Sequence, residues 1–139
     1  MVAATERELG IRKVMGFEQG MLVQELGWDS DVDEDLRNLV MDAIDDDLID
    51  EAVEAVDAVL LWWREEDGDV ADGLVESLTD LSNGGVIWLL TPKVGRPGHI
   101  NAKDIAEGAN TAGLALTSPV DMSDQWQVQK VVRPKNARR

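Results

Sequence analysis

The 139-residue chain contains no cysteine. Disulfide scaffolds, thiolate metal sites and cysteine nucleophiles are thereby excluded, and a reducing cytoplasm is the expected compartment. No apolar run approaches the roughly 20 residues that a membrane span requires. The first residues, Met1 to Glu8, show no basic stretch followed by an apolar core, so neither a membrane protein nor an exported one is expected. Positive charge is scarce: 13 Lys and Arg stand against 28 Asp and Glu, a formal net charge of −15. Such a surface repels phosphate backbones and anionic lipid headgroups, so no nucleic acid and no membrane are expected among its partners.

The acidity is uneven. Between Glu25 and Asp72 lie nineteen acidic residues and only two basic ones, Arg37 and Arg64. The end of the chain runs the other way, with Lys130, Arg133, Lys135, Arg138 and Arg139, which reads as a solvated tail. The length fits one domain over 1–139, with 1–20 and 134–139 peripheral or flexible.

Two apolar runs, residues 58–63 and 86–90, have the continuous character of strands buried on both faces. An amphipathic segment separates them, with Val70, Leu74, Leu78 and Leu81 on one face and Asp69 as its cap. Strand, helix, strand at this spacing predicts a βαβ unit and a parallel pair. Upstream, residues 3–9 predict a short helix stopped by Gly10, and residues 21–28 a first strand. Asp29, Ser30 and Asp31 offer three N-caps for a helix carrying Val32, Leu36, Leu39, Val40, Ala43 and Ile44 along one stripe. Leu48 and Ile49 read as a short edge strand, and residues 51–56 as a helical turn. The central run is read as preceded by a helix end at Leu81 and a two-glycine turn, Gly84-Gly85. Asn101 caps a helix over 102–111, and residues 114–117 and 126–132 form the last strands, the final one antiparallel and near the sheet edge.

In an open parallel sheet, ligands bind beyond the carboxyl ends of the strands. Gly27, Trp28, Asp29, Arg64, Lys93, Arg96 and His99 fall there and are the crevice candidates. His99, the only histidine, has no serine or carboxylate partner fixed by spacing, although with Lys93 and Arg96 it offers a phosphate-holding trio; a surface loop is the plainer reading. Asp29, Asp31 and Asp33 begin like a calcium loop. Position six, however, is Glu34 instead of glycine and position twelve is Val40 instead of glutamate, so no metal site is expected. Adjacent Trp62 and Trp63 point to opposite faces of a strand, and both are buried only if helices cover both faces. Trp28, at a strand end, is either a lid on the core, which tryptophan's burial habits favour, or an exposed binding anchor.

Val23-Gln24-Glu25-Leu26-Gly27, the run at 57–63, the stretch from Leu81 to Pro92 with Gly84-Gly85, and Ala112-Gly113-Leu114 resemble in order the landmarks of class I S-adenosylmethionine-dependent methyltransferases. The resemblance, over roughly 21–132, implies an α/β fold: a three-layer Rossmann-like sandwich whose mostly parallel sheet carries an antiparallel C-terminal strand. It also implies a glycine-rich cofactor turn after the first strand, and an acidic residue closing the second, Asp47 or Asp50. The turn here reads Trp28-Asp29-Ser30-Asp31, where the family has further glycines. More closely, Gln24 to Asp29, Val59 to Arg64 and Trp88 to Lys93 resemble a family of short actinobacterial proteins known as domain of unknown function 3052. Two functions follow as expectations. One is a non-catalytic methyltransferase-like scaffold with no cofactor, whose acidic face, Asp31, Asp33, Glu34, Asp35 and Asp42, meets a protein partner with a basic surface. The other is a small-molecule or nucleotide binder, or an enzyme, using the crevice. Homodimerisation through an edge strand is open to either.

Overall fold

The computed structural model describes residues 5–134. A five-stranded sheet has the order β1-β2-β3-β5-β4, with β1 at Val23–Leu26, β2 at Val56–Trp62, β3 at Leu81–Pro92, β4 at Ala115–Val120 and β5 at Trp126–Val132. β1, β2 and β3 are mutually parallel, and β5 runs antiparallel to both β3 and β4. Four strands therefore share one direction and β5 alone is reversed. Its first residue, Trp126, lies among the carboxyl ends of the others.

Alternation along the strands sorts the core into two layers. Ala58, Leu60, Trp62, Trp88, Leu90, Trp126 and Val128 face α1 (Glu6–Lys13) and α2 (Glu34–Ile44). Val59, Leu61, Ile87, Leu89 and Val131 face α3 (Val70–Ser77) and α4 (Ala102–Thr111). Trp62 and Trp63 do point to opposite faces, as the three-layer expectation requires.

Several local expectations are corrected. Gly10 does not stop α1, which a Thr5/Glu8 capping box starts and which runs on to Lys13. Gly10 is buried where a Cβ would lie 2.8 Å from the Met122 thioether, so its smallness serves packing. The segment expected to be peripheral sends Ile11, Met15 and Phe17 into the core. The cap of α2 is Asp33, accepting from the Leu36 N–H at 3.0 Å, and not Asp29, Ser30 or Asp31. Asp29 accepts from its neighbour Ser30, and Asp31 is taken by Arg64. Residues 51–56 form no helical turn; Val56 is fully buried and opens β2. α3 ends at Ser77, and Leu81 already pairs with Val56, β3 bulging out around Gly84 (φ 80°) before Val86 meets Ala58.

Leu48 and Ile49 provide one parallel bridge, Ile49 to Gln24, which covers the outer edge of β1. Lys130 lies within β5, and the Arg133 guanidinium donates to the carbonyls of Leu81 and Ser82, so this part of the basic stretch is anchored. Lys135, Arg138 and Arg139 lie outside the described residues, as does the start of the expected helix at Ala3. No helix among the described residues is long and apolar enough to cross a membrane.

Candidate functional site

The carboxyl ends of the strands converge on a network built around Arg64. β1 is followed at once by Gly27, whose φ of 77° accompanies a close approach to β2: a Cβ there would sit 2.1 Å from the Trp62 carbonyl oxygen. Only glycine combines that backbone conformation with that approach. The turn leaves the Gly27 carbonyl pointing at Arg64, whose Nη1 donates to it at 2.7 Å.

Arg64 follows β2 and is buried, 6% exposed. Its Nε and Nη2 donate to the two carboxylate oxygens of Asp31 at 3.0 and 2.5 Å, a bidentate fork, and Nη1 also reaches Asp67 at 3.4 Å. The guanidinium carbon lies 5.2 Å from the centre of the Trp126 ring. That ring meets Trp62 edge to face at 4.9 Å and donates its Nε1–H to the Asp31 carbonyl. Hydrogen bonds from Arg64 hold the Asp31 carboxyl below its ordinary range, against the opposing pull of burial. Burial works against the Arg64 cation in turn, and Asp31 and then Asp67 more than offset it, so its pKa stands above the usual value.

A second ion pair flanks the first. Glu25, in β1, is buried and accepts from Nε and Nη2 of Arg37 at 2.7 and 2.8 Å and from the Trp62 indole at 2.9 Å. The Arg37 pKa is raised chiefly by those bonds to Glu25. Nη1 of Arg37 goes to Glu34. Both arginines of the acidic stretch are thus consumed at the strand ends.

Of the remaining crevice candidates, Arg96 shares the Trp126 ring with Arg64, while Lys93 and His99 have other partners. Lys93 lies 3.8 Å from Asp121. Arg96 donates to the Gln125 carbonyl and lies 5.6 Å from the Trp126 ring centre. His99 donates from Nδ1 to the Pro92 carbonyl at 2.9 Å, with no carboxylate beside it. Their loop packs over Arg64, since a Cβ on Gly98 would lie 3.1 Å from the Arg64 Cβ. Asp29 is exposed and holds only its local turn. Trp28 is 53% exposed, which overturns the reading of it as a lid. It lines a cleft of about 430 Å³ with Glu25, Arg37, Leu48 and Asp50.

Of the acidic-face candidates, Asp31 is engaged by Arg64. Asp33 accepts from Arg7 at 3.0 Å and from the buried Ser123 hydroxyl at 2.7 Å, besides capping α2. Glu34 is exposed and pairs with Arg37. Asp35 and Asp42 are exposed on α2 and have no ion pair among the described residues. Glu25, Arg37, Asp67 and Ser123 are not among the sequence-predicted site residues, yet they complete this network. The signal for Arg37 was its isolation among nineteen acids, and for Glu25 a charge inside an apolar strand.

Solved structures of similar fold include methyltransferases. A S-adenosylmethionine-dependent methyltransferase from Thiobacillus denitrificans, in complex with S-adenosyl-L-homocysteine, superposes with a TM-score of 0.59 at 11% identity over 94% of this chain and 92% of its own. One from Aquifex aeolicus gives 0.56 at 13% identity over 90% and 89%. The pyocyanin biosynthetic protein PhzM gives 0.61 at 12% identity over 92% of this chain and 54% of its own, so this chain spans about half of that one. These likenesses are of fold. In sequence, uncharacterized proteins of Mycobacterium tuberculosis and Mycobacterium bovis are each 42% identical over 136 residues, 97% of this chain and 85% of theirs. Residues 12–135 match the family described as protein of unknown function, DUF3052, and the chain belongs to it.

Proposed function

We propose that this is a non-catalytic cytoplasmic protein that uses a methyltransferase-like fold as a scaffold and works through protein contacts on its acidic face. The observation that carries the reading is the buried Arg64. Its guanidinium, fixed by Asp31, Gly27 and Asp67, lies at the strand ends, where a fold of this kind would receive a ligand. S-adenosylmethionine does not fit these residues. Trp28, Asp29, Ser30 and Asp31 stand in the turn where further glycines would let a backbone wrap a cofactor.

The acidic face favours a partner with a basic surface, because the carboxylates of Asp35 and Asp42 are exposed and unpaired among the described residues. Sheet edges are less suited to association with a second copy. β4 carries a register shift between Leu116 and Pro119, and β1 is covered by Ile49; bulges and proline both blunt edge pairing. The test is thermal unfolding with S-adenosylmethionine and S-adenosylhomocysteine at millimolar concentration. No rise in Tm is expected, whereas a saturable rise of several degrees would sink the scaffold reading. On the partner side, Asp35→Asn with Asp42→Asn is expected to weaken salt-sensitive association with a partner.

A further inference from the structure

We propose that the cleft beside Trp28 is a receiving site for an arginine side chain of a basic partner protein. The inference deepens the scaffold reading above and rests on it. Trp28 follows Gly27, whose contact with the Trp62 carbonyl fixes the direction of the chain, so the indole is presented from a rigid strand end. More than half of it is open to solvent. Leu48, Asp50, Glu25 and Arg37 line the cleft with it.

The chemistry of this cleft suits a cation. Its own cation, Arg37, has Nε, Nη1 and Nη2 committed to Glu25 and Glu34. Asp50, which lines the cleft, is exposed and in no ion pair among the described residues. An aromatic face plus surplus acceptors calls for a ligand that only donates, and guanidinium is a planar group of five donors with no acceptor. Arginine stacks on an indole better than lysine does, and the negative field accelerates its approach. The same chain already holds one arginine this way: Arg64 over Trp126, forked onto Asp31, with a carbonyl completing the set. A nucleoside would also stack on Trp28, but phosphorylated forms meet the acidic rim, and no glycine-rich backbone is present to cradle them.

The test uses the full chain labelled with ¹⁵N and a probe peptide, acetyl-Gly-Arg-Gly-Arg-Gly-amide, with its lysine twin and adenosine as separate arms. The indole Nε1–H resonance of Trp28, identified by its loss in Trp28→Phe, is expected to shift saturably with the arginine peptide. Binding should be roughly fivefold tighter than for the lysine twin, and should weaken on raising salt from about 50 to about 200 mM. Trp28→Ala and Asp50→Asn should each weaken it about fivefold, with the Trp126 indole unmoved. Peptide binding that leaves the Trp28 indole unshifted, equal binding by Trp28→Ala, or displacement of the peptide by adenosine overturns the proposal. None of these outcomes touches the scaffold reading, which fails separately if S-adenosylmethionine raises the Tm.

Discussion

Replacing Arg64 with methionine keeps most of the buried stem and removes the charge. The Gly27 carbonyl loses a hydrogen bond from a charged donor at 2.7 Å, worth about 1.5–3 kcal/mol. The fork to Asp31 counts for less. The Asp31 side chain is 41% exposed and regains water, so that pair is discounted to about 0.5–1 kcal/mol. Loss of the cation over the Trp126 ring adds about 0.5–1 kcal/mol. The sum, roughly 2.5–5 kcal/mol, corresponds to a Tm lower by about 10 °C or more for a chain of this length. Urea unfolding followed by tryptophan fluorescence should show a lower midpoint with an unchanged slope. A double-mutant cycle with Asp31→Asn should return a coupling of about 1 kcal/mol. If Arg64→Met costs less than about 1 kcal/mol, the network is not holding the strand ends together and the argument from Arg64 fails.

The remaining expectations are these. Gly27→Ala forces a Cβ to within 2.1 Å of the Trp62 carbonyl at positive φ, so it should cost more than about 3 kcal/mol or prevent folding, as read by circular dichroism and yield. Asp33→Ala removes the cap of α2 together with the acceptor for Arg7 and Ser123, and should cost about 2–3 kcal/mol in urea unfolding, while Asp33→Asn retains the cap and loses less. The Asp31 carboxyl is held below its ordinary pKa in the folded state, so its contribution is complete above about pH 4 and is lost as pH falls through the folded-state value. Asp31→Asn should therefore flatten that acid limb of the stability profile. Gly108→Ala puts a Cβ 2.3 Å from a Val70 methyl where α3 and α4 touch, and should destabilise by about 1–3 kcal/mol.

Periodicity alone was enough to identify the strands and amphipathic helices of the core. β2 and β3 are continuous apolar runs because both their faces are buried, and hydrophobic continuity is a property of the chain itself. The caps Asp69 and Asn101 were equally readable, because a cap acts on an N–H two or three residues away. Asp33 was not. Whether it or Asp31 caps α2 depends on Arg64, 33 residues beyond Asp31, which takes the other carboxylate. The course of β3 from Leu81 also depended on a partner, since Leu81 and the bulge after it are set by pairing with Val56.

The candidate site divides in the same way. Its location at the strand ends follows from topology, and Gly27, Trp28 and Arg64 are legible there in the sequence. Their roles are not. Arg37 and Arg64 stood out as two cations among nineteen acids, but composition does not say which carboxylate each one finds. Only the packing of α2 against β1 brings Arg37 to Glu25, and only the turn at Gly27 brings Arg64 under Asp31. The exposure of Trp28 was decided the same way: burial belongs to whatever covers a side chain, and nothing among the described residues closes over this one. The sequence by itself determined that the apolar runs of β2 and β3 and the stripes of α2 and α3 enter the core, and how acidic the chain is, because hydrophobicity and charge are carried residue by residue. The tertiary structure alone decided which charges neutralise one another and which face solvent, because those contacts join residues far apart in the chain.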